Sequence, residues 1–153
     1  MNLEEVKRYL ERGANGNEGI INSMPLKFFD PFIMEGLRVD LIEPGRLICS
    51  FTVPPRLLNT GNFLHGGATA TLVDLVSSAV IYSVGAPMTG VSVEINVSYL
   101  DAAFAGDEIE IEAKALRIGK AVVVVSVEIR KKKTGKIIAQ GRHTKYLAVS
   151  SKM

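Results

Sequence analysis

The sequence predicts an α+β fold in which one long helix lies against a curved antiparallel β-sheet. Three observations predict it. Residues 68–84, "ATATLVDLVSSAVIYSV", are nearly all apolar over a helical length, which reads as a helix buried on most sides. From residue 90 onward the apolar period changes to two, in runs separated by short turn signals. Helical and strand patterns are also segregated rather than alternating as βαβ units, which argues against a parallel sheet.

The elements follow in order. "NLEEVKRYLER" sets Leu3, Val6, Tyr9 and Leu10 at helical spacing and ends in the breaker "GANGNEG", a short surface helix. "SMPLKFFDPFIMEG" is aromatic-rich and predicts a helical turn or two, interrupted at Pro31. "LRVDLIEPGRLICSFTV" predicts a hairpin about Pro44 and Gly45. "PPRLLNTGNFLHGG" is a long irregular connection, and loops of that length in a compact domain are commonly functional. After the long helix, "GVSVEINVSYL" alternates apolar Val91, Val93, Ile95, Val97 and Tyr99 with polar Ser92, Glu94, Asn96 and Ser98. "DEIEIEAKALRI", "AVVVVSVEIRKK" and "KIIAQGRHTKYLAV" continue the pattern across turns at Gly119, Lys120 and at Thr134, Gly135. Three or four such strands in succession form a meander. Lys131, Lys132 and Lys133 sit at its last hairpin tip as a solvated, aggregation-resisting turn.

Bulk properties narrow the function classes. A chain of 153 residues is expected to fold around one core. Its net charge of +2, from 18 basic and 16 acidic residues, is too balanced to predict a nucleic-acid or membrane-surface partner. Cys49 is the only cysteine, which excludes an intrachain disulfide and suits a reducing compartment. Two histidines, His65 and His143, make a poor zinc set. The apolar helix carries Asp74 and several hydroxyls and is read as a core helix rather than a membrane span. Glu4 and Glu5 leave no secretory or transit signal visible, while Ser151, Lys152 and Met153 differ from the peroxisomal Ser-Lys-Leu address only in the last residue. The expected compartment is therefore cytoplasmic or peroxisomal.

The chemistry centres on Asp74, because an acid inside an apolar helix needs a partner or a task. Thr71, Ser77 and Ser78 stand three or four residues from it and share its face, so a satisfied structural acid and a catalytic one both stay open. Gly66 and Gly67 open the helix, where the first amides lack intrahelical acceptors and are free to donate to a developing oxyanion. Asn59 and His65 add donors on the preceding loop. Gly66 and Asp74 are eight residues apart, about 12 Å at roughly 1.5 Å per residue. One acyl carbon cannot be served by both in a single chain, so a shared reaction requires two chains related by a two-fold axis. No G-x-S-x-G elbow, phosphate loop or dinucleotide fingerprint is present. Hydrolysis by an acid-activated water is the economical reaction, and a thioester suits it.

"NTGNFLHGGATATLVD", "GVSVEINVSYL" and "TGKIIAQGRHTKYL" together resemble the hotdog-fold acyl-CoA thioesterases of the phenylacetate-degradation type, and closely their thioesterase superfamily member 2 branch, over about residues 36–148. The resemblance implies a long helix wrapped by an antiparallel sheet in a hotdog domain over 36–149, after an N-terminal helical extension over 1–35 and before a tail at 150–153. It implies homodimers joined through continuous sheets, commonly assembled into tetramers, an acyl-CoA substrate and no metal or redox cofactor. Position by position, Asp74 becomes the general base or nucleophile and Ser92 positions the water. The partner chain's Gly66 amide forms the oxyanion hole, Gly67 beside it is a substrate-binding position, and Asn59 and His65 orient the thioester and loop. Arg142, His143 and Lys145 are candidates for the phosphates of coenzyme A, with a solubilising edge-strand role as the alternative. Phe28, Phe29, Phe32 and Phe63 are candidate linings of an acyl pocket. A hotdog module that binds acyl-CoA without hydrolysing it remains the competing reading, and an enoyl-thioester hydratase is disfavoured because only one histidine stands near the site.

Overall fold

A computed structural model of the chain describes residues 2–11 and 16–147. Ser151, Lys152 and Met153, with their targeting question, lie outside the described residues. The chain divides into two compact units, Met1–Phe32 and Ile33–Met153.

The first unit carries helix α1 (Leu3–Glu11), helix α2 (Glu18–Asn22) and the beginning of helix α3 (Phe29–Met34). At the start of α1, Asn2 Oδ1 accepts the Glu5 amide at 2.9 Å while Glu5 Oε2 accepts the Asn2 amide at 2.8 Å. This reciprocal box satisfies two amides that the helix cannot serve itself. The expected breaker over 13–19 gives way to α2 at Glu18. Pro31 does not interrupt α3, because it falls in the first turn, where a missing N–H costs no intrahelical bond.

The second unit holds strands β1 (Arg38–Glu43) and β2 (Arg46–Thr52), a 3-10 turn (Pro55–Leu57), helix α4 (Gly66–Ser83), and strands β3 (Val91–Tyr99), β4 (Glu108–Ile118), β5 (Val122–Lys131) and β6 (Ile137–Tyr146). All pair antiparallel in one sheet of order β1-β2-β4-β5-β6-β3. The hairpin at Pro44 and Gly45 forms with Gly45 at φ 82°, a left-handed value that glycine adopts without a Cβ clash. β4, β5 and β6 make the expected meander. β3 does not precede it in space: it runs along the far side of β6 and forms an edge.

Alternation supplies the core. Phe51, Ile109, Ile111, Val123, Val125, Val127 and Ile129 form the inner face of the sheet, and α4 lays Leu72, Val73, Val76, Val80 and Ile81 on it. Full burial of each such side chain contributes about 1.5–3 kcal/mol. Gly141 on β6 makes room for this contact, since a Cβ there would stand 3.5 Å from Val73 Cγ1 and 2.7 Å from the Asn96 carbonyl oxygen.

Two expectations are corrected here. α4 is not buried on most sides: its buried residues are Ala68, Thr69, Leu72, Val73, Val76, Ser77, Val80 and Ile81, adjacent pairs recurring every four residues on the sheet side. Asp74 falls between the pairs and its side chain is 43% exposed. Strict alternation in β3 also fails. Ser92 registers with Lys145 and Ile95 with His143, so two steps on β6 match three on β3, with the irregularity between Ser92 and Glu94. This β-bulge puts Ser92 on the helix-facing side with Ile95 instead of on the opposite face. At the bulge and just before it the edge stays open, with Val91 59% and Val93 64% exposed. Among the described residues, no helix is long and apolar enough to cross a membrane.

Candidate active site

The loop before α4 is fastened at several points. Leu58 bridges Leu64 and Phe63 bridges Phe104, while the amides of Leu64 and His65 reach the carbonyls of Ala103 and Leu57, each at 2.8 Å. Inside it, Asn59 Oδ1 accepts the amides of Gly61 at 2.9 Å and Phe63 at 3.2 Å, the side-chain-to-backbone turn typical of asparagine. Its amide nitrogen is left to donate elsewhere.

The helix start is set by His65 and Tyr99. His65 is the N-cap of α4, and its Nδ1 accepts the Gly67 amide at 2.8 Å, which puts the proton of the neutral ring on Nε2. Tyr99 Oη donates to the Gly66 carbonyl oxygen at 2.8 Å, and its ring lies 3.4 Å from where a Cβ at Gly66 would stand. The Gly66 amide has no acceptor among the described residues. Beside it opens a cavity of about 490 Å³, lined mainly by apolar groups including Phe63, Leu64, Tyr99, Leu100 and Ile138. That size and lining suit a small-molecule ligand.

A second cluster surrounds Asp74. His143, on β6, is fully buried, and its two ring nitrogens meet Ser77 Oγ at 2.6 Å through Nδ1 and Ser92 Oγ at 2.7 Å through Nε2. Asp74 Oδ1 is 3.8 Å from Nδ1. Burial pushes the His143 imidazole below its ordinary value, with the Asp74 carboxylate opposing and Lys145 reinforcing the shift. The ring is therefore held neutral, one nitrogen donating and the other accepting. Lys145, two residues on, is 5% exposed and donates from Nζ to Ser78 Oγ at 3.0 Å. Burial lowers its ammonium as well, and Asp74 again opposes. Ser78 Oγ meets the Asp74 carbonyl oxygen at 2.7 Å and Oδ1 at 3.5 Å.

The structure thus brings the expected residues into two groups. Asn59, His65, Gly66 and Gly67 stand together at the start of α4, and Asp74 and Ser92 both flank the His143 ring near its middle, Asp74 toward Nδ1 and Ser92 at Nε2. It does not bring Arg142, His143 and Lys145 to one surface. β6 lies between β5 and β3, so an edge-strand role is excluded for all three. Neighbouring strand residues point to opposite faces, which leaves Arg142 outside and turns His143 and Lys145 inward, their polar atoms engaged by serines. Thr71 leaves the polar stripe too, its hydroxyl donating to the Gly67 carbonyl oxygen at 2.8 Å. Of the phenylalanines, Phe63 lines the cavity, and Phe28, Phe29 and Phe32 belong to the first unit. Sequence reading missed that His143 and Lys145 lie in one cluster with Asp74. Their two-residue spacing on a half-buried strand was the available signal.

Known proteins share this arrangement of elements. The residue pattern of the Thioesterase superfamily matches residues 61–138. Acyl-coenzyme A thioesterase 13 of Homo sapiens is 44% identical over 104 residues, which cover 68% of this chain and 74% of that protein. The Mus musculus protein of the same name is 42% identical over 115 residues, 75% of this chain and 82% of its own. The crystal structure of zebra fish thioesterase superfamily member 2 superposes with a TM-score of 0.77 at 36% identity, covering 97% of this chain and 99% of that one.

Proposed function

The chain belongs to the thioesterase superfamily and is a thioester hydrolase of hotdog fold, and from that premise we propose that it cleaves acyl-CoA to a free acid and coenzyme A at a site built by two subunits. The relatives described above are acyl-coenzyme A thioesterases by name, and the apolar cavity beside Gly66 suits an acyl or pantetheine chain. The observation that carries the shared site is that Gly66 and Asp74 occupy one unbroken helix, eight residues and about 12 Å apart. A second copy laid antiparallel across a two-fold axis brings the two groups to one carbonyl. The open edge of β3, with Val91 and Val93 exposed, is the surface on which such pairing extends the sheet. Pairing of two such dimers into a tetramer completes the proposed assembly.

In this mechanism Asp74 takes a proton from water, whose oxygen attacks the thioester carbon. Ser92, anchored to the neutral His143, holds that water. The partner's Gly66 amide receives the negative charge that develops on the carbonyl oxygen, with the Asn59 amide nitrogen available beside it. Collapse expels the coenzyme A thiolate, which takes up the proton. No metal or redox group enters the reaction. Thiol release from a panel of acyl-CoAs tests the proposal: turnover that disappears in Asp74→Ala supports it, and saturable binding without thiol release identifies the binding module instead. A reporter carrying the last ten residues tests peroxisomal against cytoplasmic residence.

A further inference from the structure

Lys145 is an ammonium in an almost closed place. Such a charge costs several kcal/mol unless an opposite charge or hydrogen bonds compensate it. The groups facing it can be named by element. α4 supplies Asp74 and Ser78, with Tyr82 a turn further on and exposed. β6 supplies the neutral His143, and the register partners are Ser92 on β3 and Val123 on β5, neither of which carries charge. Asp74 is thus the anion of this group.

The hydrogen bonds also have a direction. An ammonium only donates, so Lys145 gives a proton to Ser78 Oγ and the hydroxyl's own proton is left for Asp74, whose carbonyl and Oδ1 oxygens are 2.7 and 3.5 Å away. The hydroxyl's single proton closes on the backbone carbonyl with Oδ1 at the edge of hydrogen-bond reach, so the lysine's charge stands one hydroxyl from the carboxylate without touching it. In the single chain Asp74 is 43% exposed and open to water. Covering by a second subunit removes that water and favours the protonated acid, which is useless as a base.

We propose that Lys145 is a positioning residue for the hydrolysis, holding Asp74 ionised and oriented through Ser78 when the two-chain site closes. This rests on the reading of Asp74 as the base, so the test includes a control for it. The pH dependence of kcat is measured on the full chain with the best acyl-CoA substrate, for the wild type, Lys145→Met, Lys145→Arg, Ser78→Ala and Asp74→Asn. Lys145→Met is expected to move the acid limb upward by about one pH unit or more, since an opposite charge nearby lowers an aspartate by about 1–3, with KM changed less than about twofold as befits a group that does not bind substrate. Lys145→Arg restores the limb, and Ser78→Ala moves it in the same direction as Lys145→Met. Should Lys145→Met not fold, Ser78→Ala carries the test alone. An acid limb unchanged in these variants overturns the proposal, as does a raised KM at constant kcat, which would mark a substrate-phosphate contact. Wild-type turnover in Asp74→Asn overturns the base assignment and this proposal with it, whereas an inactive Asp74→Asn beside an unmoved limb overturns only the role of Lys145.

Discussion

His65 Nδ1 accepts the Gly67 amide proton at 2.8 Å, so the imidazole closes the first turn of α4 with its own ring. An asparagine at the N-cap offers an acceptor in a similar place, and alanine offers none. His65→Ala is expected to lose about 1 kcal/mol of stability and His65→Asn much less, read by denaturant unfolding. Turnover should follow the same order. Equal loss in both variants would show that the ring acts on the substrate directly.

The Gly66 amide is testable by removing the N–H itself. Gly66 is the first residue of α4 after the N-cap, where proline is well tolerated, and His65 already has the extended backbone (φ −62°, ψ 132°) that proline requires before it. A Cβ at 66 meets the Tyr99 ring at 3.4 Å, an ordinary contact. Gly66→Pro should keep its circular dichroism and melting temperature but lose about 10²–10³ in kcat, the usual cost of one oxyanion donor. Full activity would remove that amide from the reaction.

Asp74 offers a separation of chemistry from stability. Its side chain is half-exposed, and Ser78 holds its backbone carbonyl at 2.7 Å whatever the side chain. Asp74→Asn is therefore expected to melt within a few degrees of the wild type while kcat falls about 10²–10⁴, the range for a general base. A large loss of stability with a small loss of kcat would assign Asp74 to structure.

The fold class was legible because a 3.6 period and a period of two follow one another without mixing. The position of β3 was not, since its neighbour β6 lies some forty residues on and nothing local marks the pairing. Asp74, Ser77 and Ser78 could be read as one stripe from helical spacing. The rest of the cluster needed tertiary information. "RHTKYL" reads as one basic group, yet the pleat sends Arg142 outward and His143 and Lys145 to Asp74. Ser92 reaches them only through a bulge that no glycine or proline announces in "VSVEIN". The apolar bias of α4 likewise overstated its burial, because the half-exposed face also carries Leu75 and Ala79.

His143 makes stability depend on pH. Burial holds its imidazole below the ordinary 6.5, so the unfolded chain takes up a proton near that pH which the folded chain does not. Folding stability should thus decline as pH falls below about 6.5, the unfolded state binding more protons. Melting temperatures measured from pH 5 to 7.5 should fall more steeply toward acid in the wild type than in His143→Gln. Parallel curves would mean that the ring titrates alike in both states.

Two-chain catalysis is tested most directly by mixing inactive partners. Gly66→Pro and Asp74→Asn chains are each expected to be inactive as homodimers. Co-refolded in equal amounts, half of the dimers are hybrids with one intact site of two, which predicts recovery of about one quarter of wild-type turnover. A mixture no more active than its components, with hybrid dimers verified by mass, would contradict a site built from the Gly66 of one subunit and the Asp74 of the other.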